Sequence, residues 1–317
     1  MPNIVGKRYL YFAISLLVIL PGLIAIGITW VQTGQPFRLA IDFTGGTLLE
    51  LKFDQPQQFQ TDDVVRIFNQ FGLSANEVSV QPSGTDTLII RTKTIDTDTK
   101  LEIYQLLRAR FGHFIEQRAE SVGPVVGTEV AQRAAIAVLL ATIAILLYIT
   151  WAFRRVPRPF RYGMCAIIAL IHDILVVVGF VSILGLFLGW EMDALFLTAL
   201  LTVMGFSVHD TIVVFDRIRE NMTRWRGLSF EEVINHSILQ TLDRSINTVL
   251  TTLFVLSALI LFGGITIRQF AITLFIGLLS GMYSSIFNAA PLLIVWENDE
   301  IRKFFRRVTG KQKIATA

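Results

Sequence analysis

Asp210 lies inside Ala194 to Phe215, an apolar run long enough to cross a lipid bilayer, and Arg244 enters the next such run. A charged side chain at the bilayer centre costs about 3 kcal/mol on insertion-based scales, so charges kept there mark ion pathways and call for a partner nearby. Asp210 and Arg244 carry opposite sign. Asn247, Thr248 and Thr251 follow Arg244 at helical spacings of three, four and seven, and Ser207 shares a face with Asp210 three residues before it. Two helices thus present polar faces within an apolar region, as a hydrated path or an interhelical seam requires. The preceding run adds His172 and Asp173, about 16 Å in from Tyr162 at helical rise.

Desolvation and a nearby arginine act on a buried aspartate in opposite directions, and a carboxylate so balanced can release and accept protons near neutral pH. Protonation of Asp210 would remove its attraction to Arg244 and free the two helices to separate or rotate. One charge moved through the membrane potential yields about 2.3 kcal/mol per 100 mV, enough to bias a two-state helix arrangement. The competing reading is a static pair that holds two helices together. His172 and His209 read either as helix-packing hydrogen bonders or as proton carriers. Consecutive helical residues point about 100° apart, which argues against metal chelation by either His-Asp pair.

These side chains need six spanning helices to position them. Of 317 residues 53% are hydrophobic and only 17% charged, the composition of an integral membrane protein. Six runs approach the roughly 20 apolar residues that a span requires: Tyr9 to Val31, Ala134 to Phe153, Tyr162 to Leu188, Ala194 to Phe215, Ile246 to Phe262 and Phe270 to Trp296. The fifth is short and must borrow residues from before Ile246. Basic residues crowd the N-terminus (Lys7, Arg8), the second connection (Arg154 to Arg161), the segment after the fourth span (Arg217 to Arg226) and the tail (Arg302 to Lys313), whereas 189–193 and 263–269 hold one between them. The basic ends face the cytoplasm, which places both termini inside and the long segment after the first span outside. The first span is too long for a secretory signal, and no small-residue cleavage pattern follows Trp30. The single cysteine, Cys165, cannot form an internal disulfide.

Residues 32–131 change character, with short apolar segments among charged residues and turn formers. Ile41 to Phe53 reads as a strand interrupted by Gly45-Gly46, Thr61 to Phe71 as a helix, and Val78 to Gln81 as a strand. Pro82 to Asp86 reads as a turn, Thr87 to Thr92 as a strand, Thr97 to Phe111 as a helix with Leu101, Tyr104, Leu107 and Leu106 as helical neighbours, and Phe114 to Val122 as a last, less regular strand. That order is the ferredoxin-like split unit. Gly45-Gly46 reads as a bulge or bend in a strand, or as a place where another backbone comes close. Gly123-Pro124 and Gly127 read as a jointed connector or a rigid turn. The segment offers no metal-ligand spacing and no Gly-rich phosphate loop, so no metal or cofactor is expected. The chain divides into 1–31 with the first span, 32–131 as the outside domain, 132–298 with spans two to six, and a basic cytoplasmic tail at 299–317.

The stretch Gly205 to Asn221 (GFSVHDTIVVFDRIREN) resembles a hallmark of the SecD/SecF protein-export family, within the resistance-nodulation-division superfamily. Further matches are Asp42 to Thr47 (DFTGGT), Val122 to Glu129 (VGPVVGTE), Ile171 to Asp173 (IHD) and Leu242 to Thr248 (LDRSINT), so the resemblance spans the chain in order. It implies a six-span subunit in a bacterial inner membrane that uses the proton gradient to help pull emerging, unfolded proteins outward. In that family Asp210 matches the essential membrane aspartate and Arg244 a functionally important arginine. His209 stands where asparagine is more usual, which puts the local hydrogen bonding beside Asp210 in question. A SecD-like partner with six further spans is implied, as is contact with the SecY channel complex.

Two other readings use the same carboxylates. A proton-coupled small-molecule efflux subunit would need a drug-sized pocket of several hundred Å³, for which one hundred-residue outside domain has no room beyond its core. An intramembrane aspartyl protease would pair Asp173 with Asp210 over a shared proton, but its Gly-x-Gly-Asp motif is missing, since Val208 and His209 precede Asp210. Ser229 to Glu232 is a capping box that opens an amphipathic helix lying at the cytoplasmic interface. The basic tail attracts anionic membrane lipid or enforces topology, and nothing points to nucleic acid.

Overall fold

The computed structural model of the protein describes residues 2–56, 59–74 and 77–300. Lys311, Lys313 and the rest of the basic tail from position 301 onward lie outside the described residues.

Among the described residues six helical segments are long and apolar enough to cross a membrane. They are built from α1 (Arg8–Thr33), α5 (Pro124–Ala152), α6 (Pro159–Leu188), α7 (Ala194–Arg224), α8 (Phe230–Phe262) and a last segment made of α9 (Ile265–Ser284), a π-helical turn (Ser285–Ala289) and α10 (Ala290–Glu297). Between α1 and α5 come α2 (Ile41–Thr44), β1 (Gly46–Phe53), α3 (Thr61–Asn69), β2 (Ser79–Ser83), β3 (Thr87–Thr92), α4 (Thr97–Phe111) and β4 (Phe114–Val122). The four strands form one antiparallel sheet in the order β2-β3-β1-β4, the ferredoxin-like arrangement. Leu49, Leu51 and Phe53 alternate along β1 into a core shared with Leu88 and Ile90 of β3, Val64 and Phe68 of α3, and Ile103 and Leu107 of α4.

Several boundaries differ from the sequence reading, each for a local reason. Ile41 to Thr44 is not strand but one helical turn, ended by Gly45 at φ 73 and ψ 168, a region essentially closed to residues with a Cβ. Pro82 belongs to β2 opposite Leu88 rather than to the turn. An edge strand tolerates a residue without an N–H. The buried side of α4 is Ile103, Tyr104, Leu107 and Phe111, while Leu101 is exposed. No hinge or free turn separates Gly123-Pro124 from the second span, because α5 starts at Pro124, whose fixed φ suits a first helical position, and Gly127 lies in its first turn. The capping box at Ser229 and Glu232 is formed, but the helix it opens does not lie apart as an interfacial element. It runs without a break through the fifth span to Phe262.

Two compact units result. The sheet unit takes in Phe37–Ala137 and also Phe187–Ala194, the turn between α6 and α7. In the helical unit, small residues set the close approaches. A Cβ on Gly22 of α1 would fall 2.5 Å from the Cα of Gly179 on α6, and one on Gly281 of α9 would fall 3.2 Å from the Cβ of Ser207 on α7. The π-helical turn precedes Pro291, which has no N–H to give Phe287 and widens the helix there.

Candidate functional site

α6, α7 and α9 converge on Asp173, which is fully buried. Its Oδ1 accepts from Ser280 Oγ at 2.6 Å and from its neighbour His172 Nδ1 at 3.0 Å. Its Oδ2 accepts from Ser207 Oγ at 2.5 Å and Ser284 Oγ at 2.7 Å. These are the short distances of hydrogen bonds to a carboxylate, and together they fill four of its acceptor sites. Ser280 and Ser284 can both reach it because positions four apart share a helix face. The Nε2 of His172 is buried and has no partner among the described residues. His172 also borders a cavity of about 230 Å³ beside Ser15, Ser280 and Tyr283.

Asp210 lies one turn beyond Ser207 on α7 and is half-buried. Its Oδ1 accepts from Ser245 Oγ of α8 at 2.6 Å, whereas its Oδ2 is buried and has no hydrogen-bond partner among the described residues. The direct pair with Arg244 expected from the sequence is not formed. Among the described residues Arg244 has no carboxylate within ion-pairing distance, and it is exposed, lining a cavity of about 290 Å³ with Asp216, Arg217, Glu220, Gln240 and Thr241. The reason is helical geometry. Arg244 and Ser245 are consecutive, so their side chains leave α8 about 100° apart: the buried Ser245 meets Asp210, while Arg244 enters the groove lined further along α7 by Asp216 and Glu220.

The rest of the polar stripe is exposed, as Arg244 is. Asn247, Thr248 and Thr251 are exposed on α8, as is His209 on α7. Thr248 satisfies its hydroxyl on the carbonyl of Arg244 at 2.9 Å, and Thr251 on that of Thr248. Sequence reasoning missed Ser245, Ser280 and Ser284. The available signal was the repeat Gly277, Ser280, Gly281, Ser284, a run of small residues at helical spacing in the last span. No group of three or more metal-ligating side chains occurs among the described residues.

In the sheet unit the motif from Asp42 to Thr47 is a junction of backbones. A Cβ on Gly45 would meet the Cα of Pro124 at 2.5 Å, and one on Gly127 would meet the N of Gly45 at 2.5 Å, so α5 packs directly against this turn. A Cβ on Gly46 would sit 2.6 Å from the carbonyl oxygen of Thr92, whereas Gly123 has open space around it. The close approach of another backbone thus describes Gly45-Gly46 better than a bulge. Asp42 Oδ2 accepts from the backbone N–H of Ala194, the first residue of α7, at 2.8 Å.

Comparison with known proteins bears on this arrangement. Residues 102–299 match the family model described as protein export membrane protein SecD/SecF, C-terminal, and residues 30–57 match the SecD/SecF GG motif. The protein translocase subunit SecF of Anaerolinea thermophila is 53% identical over 97% of this chain and 98% of its own length. That of Thermobaculum terrenum is 49% identical over 97% and 98%. The crystal structure of SecDF from Thermus thermophilus, a translocon-associated membrane protein, superposes with a TM-score of 0.79 at 33% identity over 94% of this chain. The match takes in 39% of the SecDF chain. A SecDF structure in a super-membrane-facing form gives 0.64 at 31% identity, over 96% of this chain and 40% of that one.

Proposed function

Because the chain belongs to the SecD/SecF family of protein export membrane proteins, we propose that it is the six-span half of a proton-driven complex that helps draw unfolded proteins out through the Sec channel. The observation that carries this reading is Asp210, whose Oδ1 is held by Ser245 while its buried Oδ2 has no donor. A buried carboxylate oxygen without a donor is costly. A proton, or a donor that arrives with one, relieves it, so this atom is where proton passage can be coupled to helix position. Asp173, with four donors already in place, anchors α6, α7 and α9 around that moving point.

The exposed Arg244, Asn247, Thr248 and Thr251 support a partner bundle. Polar side chains within a span are stable only against protein or a water-filled cavity, and a SecD-like subunit with its own six spans supplies that surface. The basic connections favour both termini in the cytoplasm of a bacterial inner membrane and the sheet unit outside, where it meets the emerging chain and the SecY channel. The shared-proton protease reading loses support, because Asp173 and Asp210 are held by separate serines. Export of a reporter by membranes carrying Asp210→Asn, with and without an uncoupler, tests the proposal. The uncoupler-sensitive part of export is expected to vanish, and its persistence would overturn proton coupling.

A further inference from the structure

The sheet unit holds the turn between α6 and α7 at four separate points. Gln81 Nε2 donates to the carbonyl of Leu188 at 2.5 Å, a reach that Gly189 permits because any Cβ there would strike the Gln81 amide. Arg91 Nε lies 2.8 Å from Glu191 Oε2, with both side chains largely buried. The backbone of Met192 bridges Leu39, accepting from Ala40 N at 2.9 Å and donating to Arg38 O at 2.8 Å. Asp42 Oδ2 takes the first N–H of α7, one of the four donors that a helix start leaves unpaired, and places a carboxylate at the positive end of the helix dipole.

These contacts fall on the one turn that joins the two helices carrying Asp173 and Asp210. A helix transmits a displacement of its end along its axis, and α7 runs unbroken from Ala194 past Asp210 to Arg224. The motif that caps α7 with Asp42 also packs Gly45 against the first turn of α5. We infer that Asp42 is a positioning residue for proton coupling: through the cap on Ala194 it ties the sheet unit to the start of α7, so that a shift of α7 at Asp210 is delivered to the sheet unit. Gln81, Arg91 and the Leu39–Met192 bridge keep the turn in register for that cap. The inference rests on the proton reading of Asp210 given above.

The test compares Asp42→Ala, Asp42→Asn and Asp210→Asn in the full chain assembled with its partner bundle, reading reporter export with and without uncoupler. Asparagine keeps an acceptor for Ala194 N–H and alanine does not. Asp42→Ala is expected to cut the uncoupler-sensitive part about fivefold or more, the worth of one helix cap, while Asp42→Asn stays within about twofold of the parent on the same scale. If Asp42→Ala keeps that part and Asp210→Asn loses it, the inference is overturned and the proton reading stands. If Asp210→Asn also keeps it, both fall. Should Asp42→Ala fail to accumulate, the pair Leu39→Cys and Met192→Cys, oxidised in that background, fastens the turn without the cap. Accumulation regained together with uncoupler sensitivity above that of Asp210→Asn supports the role in coupling, and accumulation regained without it overturns the role.

Discussion

Ser207 donates to Asp173 Oδ2 at 2.5 Å, which fastens α7 to α6 one turn before Asp210. A hydroxyl on the helix that carries one membrane carboxylate thus completes the cage of the other. The same helix then takes Ser245 of α8 onto Asp210, so the two acids share α7 as their common frame. Any rotation of α7 that changes Asp210 must also strain the bond at Ser207.

Ser280→Ala and Ser284→Ala each remove one hydroxyl from a fully buried carboxylate. Each is expected to cost about 1.5–3 kcal/mol, the range for hydrogen bonds to charged groups. Unfolding of the purified protein in detergent checks this. Unchanged midpoints for both would mean that these serines do not hold Asp173.

Ser245 and Arg244 should separate stability from activity. Ser245 is buried and bonded to Asp210, whereas Arg244 is exposed. Ser245→Ala is expected to lower both the unfolding midpoint and export, and Arg244→Gln to leave stability within about 0.5 kcal/mol, as exposed substitutions do, while still lowering export. An Arg244→Gln protein that unfolds as early as Ser245→Ala would contradict the placement of the two side chains.

Gly45, Gly127 and Gly123 give an internally controlled series. Alanine at Gly45 meets both a forbidden backbone region and the Cα of Pro124, at Gly127 it meets the backbone of Thr44 and Gly45 without any forbidden region, and at Gly123 it meets nothing. The expected losses are about 3 kcal/mol or more, about 1–3 kcal/mol and close to zero. Accumulation of the three proteins should fall in the same order.

The sheet unit carries a pH-dependent contact at Glu116, which accepts from Tyr104 Oη at 2.5 Å and Lys100 Nζ at 3.1 Å. The Tyr104 hydroxyl, helped by Lys100, holds the Glu116 carboxyl below its ordinary value near 4.5. A group depressed by folding stabilises the protein above its unfolded pKa, and that stability drains away as pH falls through the folded value. Tyr104→Phe is therefore expected to destabilise more at pH 7 than at pH 3. Equal losses at both pH values would show that the bond contributes nothing to this linkage.

Sequence alone determined the six spans, because about 20 consecutive apolar residues have no stable place other than lipid. It also determined the order of strands and helices in the sheet unit, because alternation and turn residues act over a few positions. It set Asp173 and Asp210 inside apolar runs and Arg244 at the entry of another. What it left open was the direction each side chain takes around its helix. That Ser245 rather than Arg244 meets Asp210 follows from how α8 is rotated against α7. That Ser280, 107 residues away, reaches Asp173 follows from how closely Gly281 lets α9 approach Ser207. Helical periodicity says which residues share a face and is silent on where that face points, and only the packing of distant small residues, summed over several helices, sets that rotation.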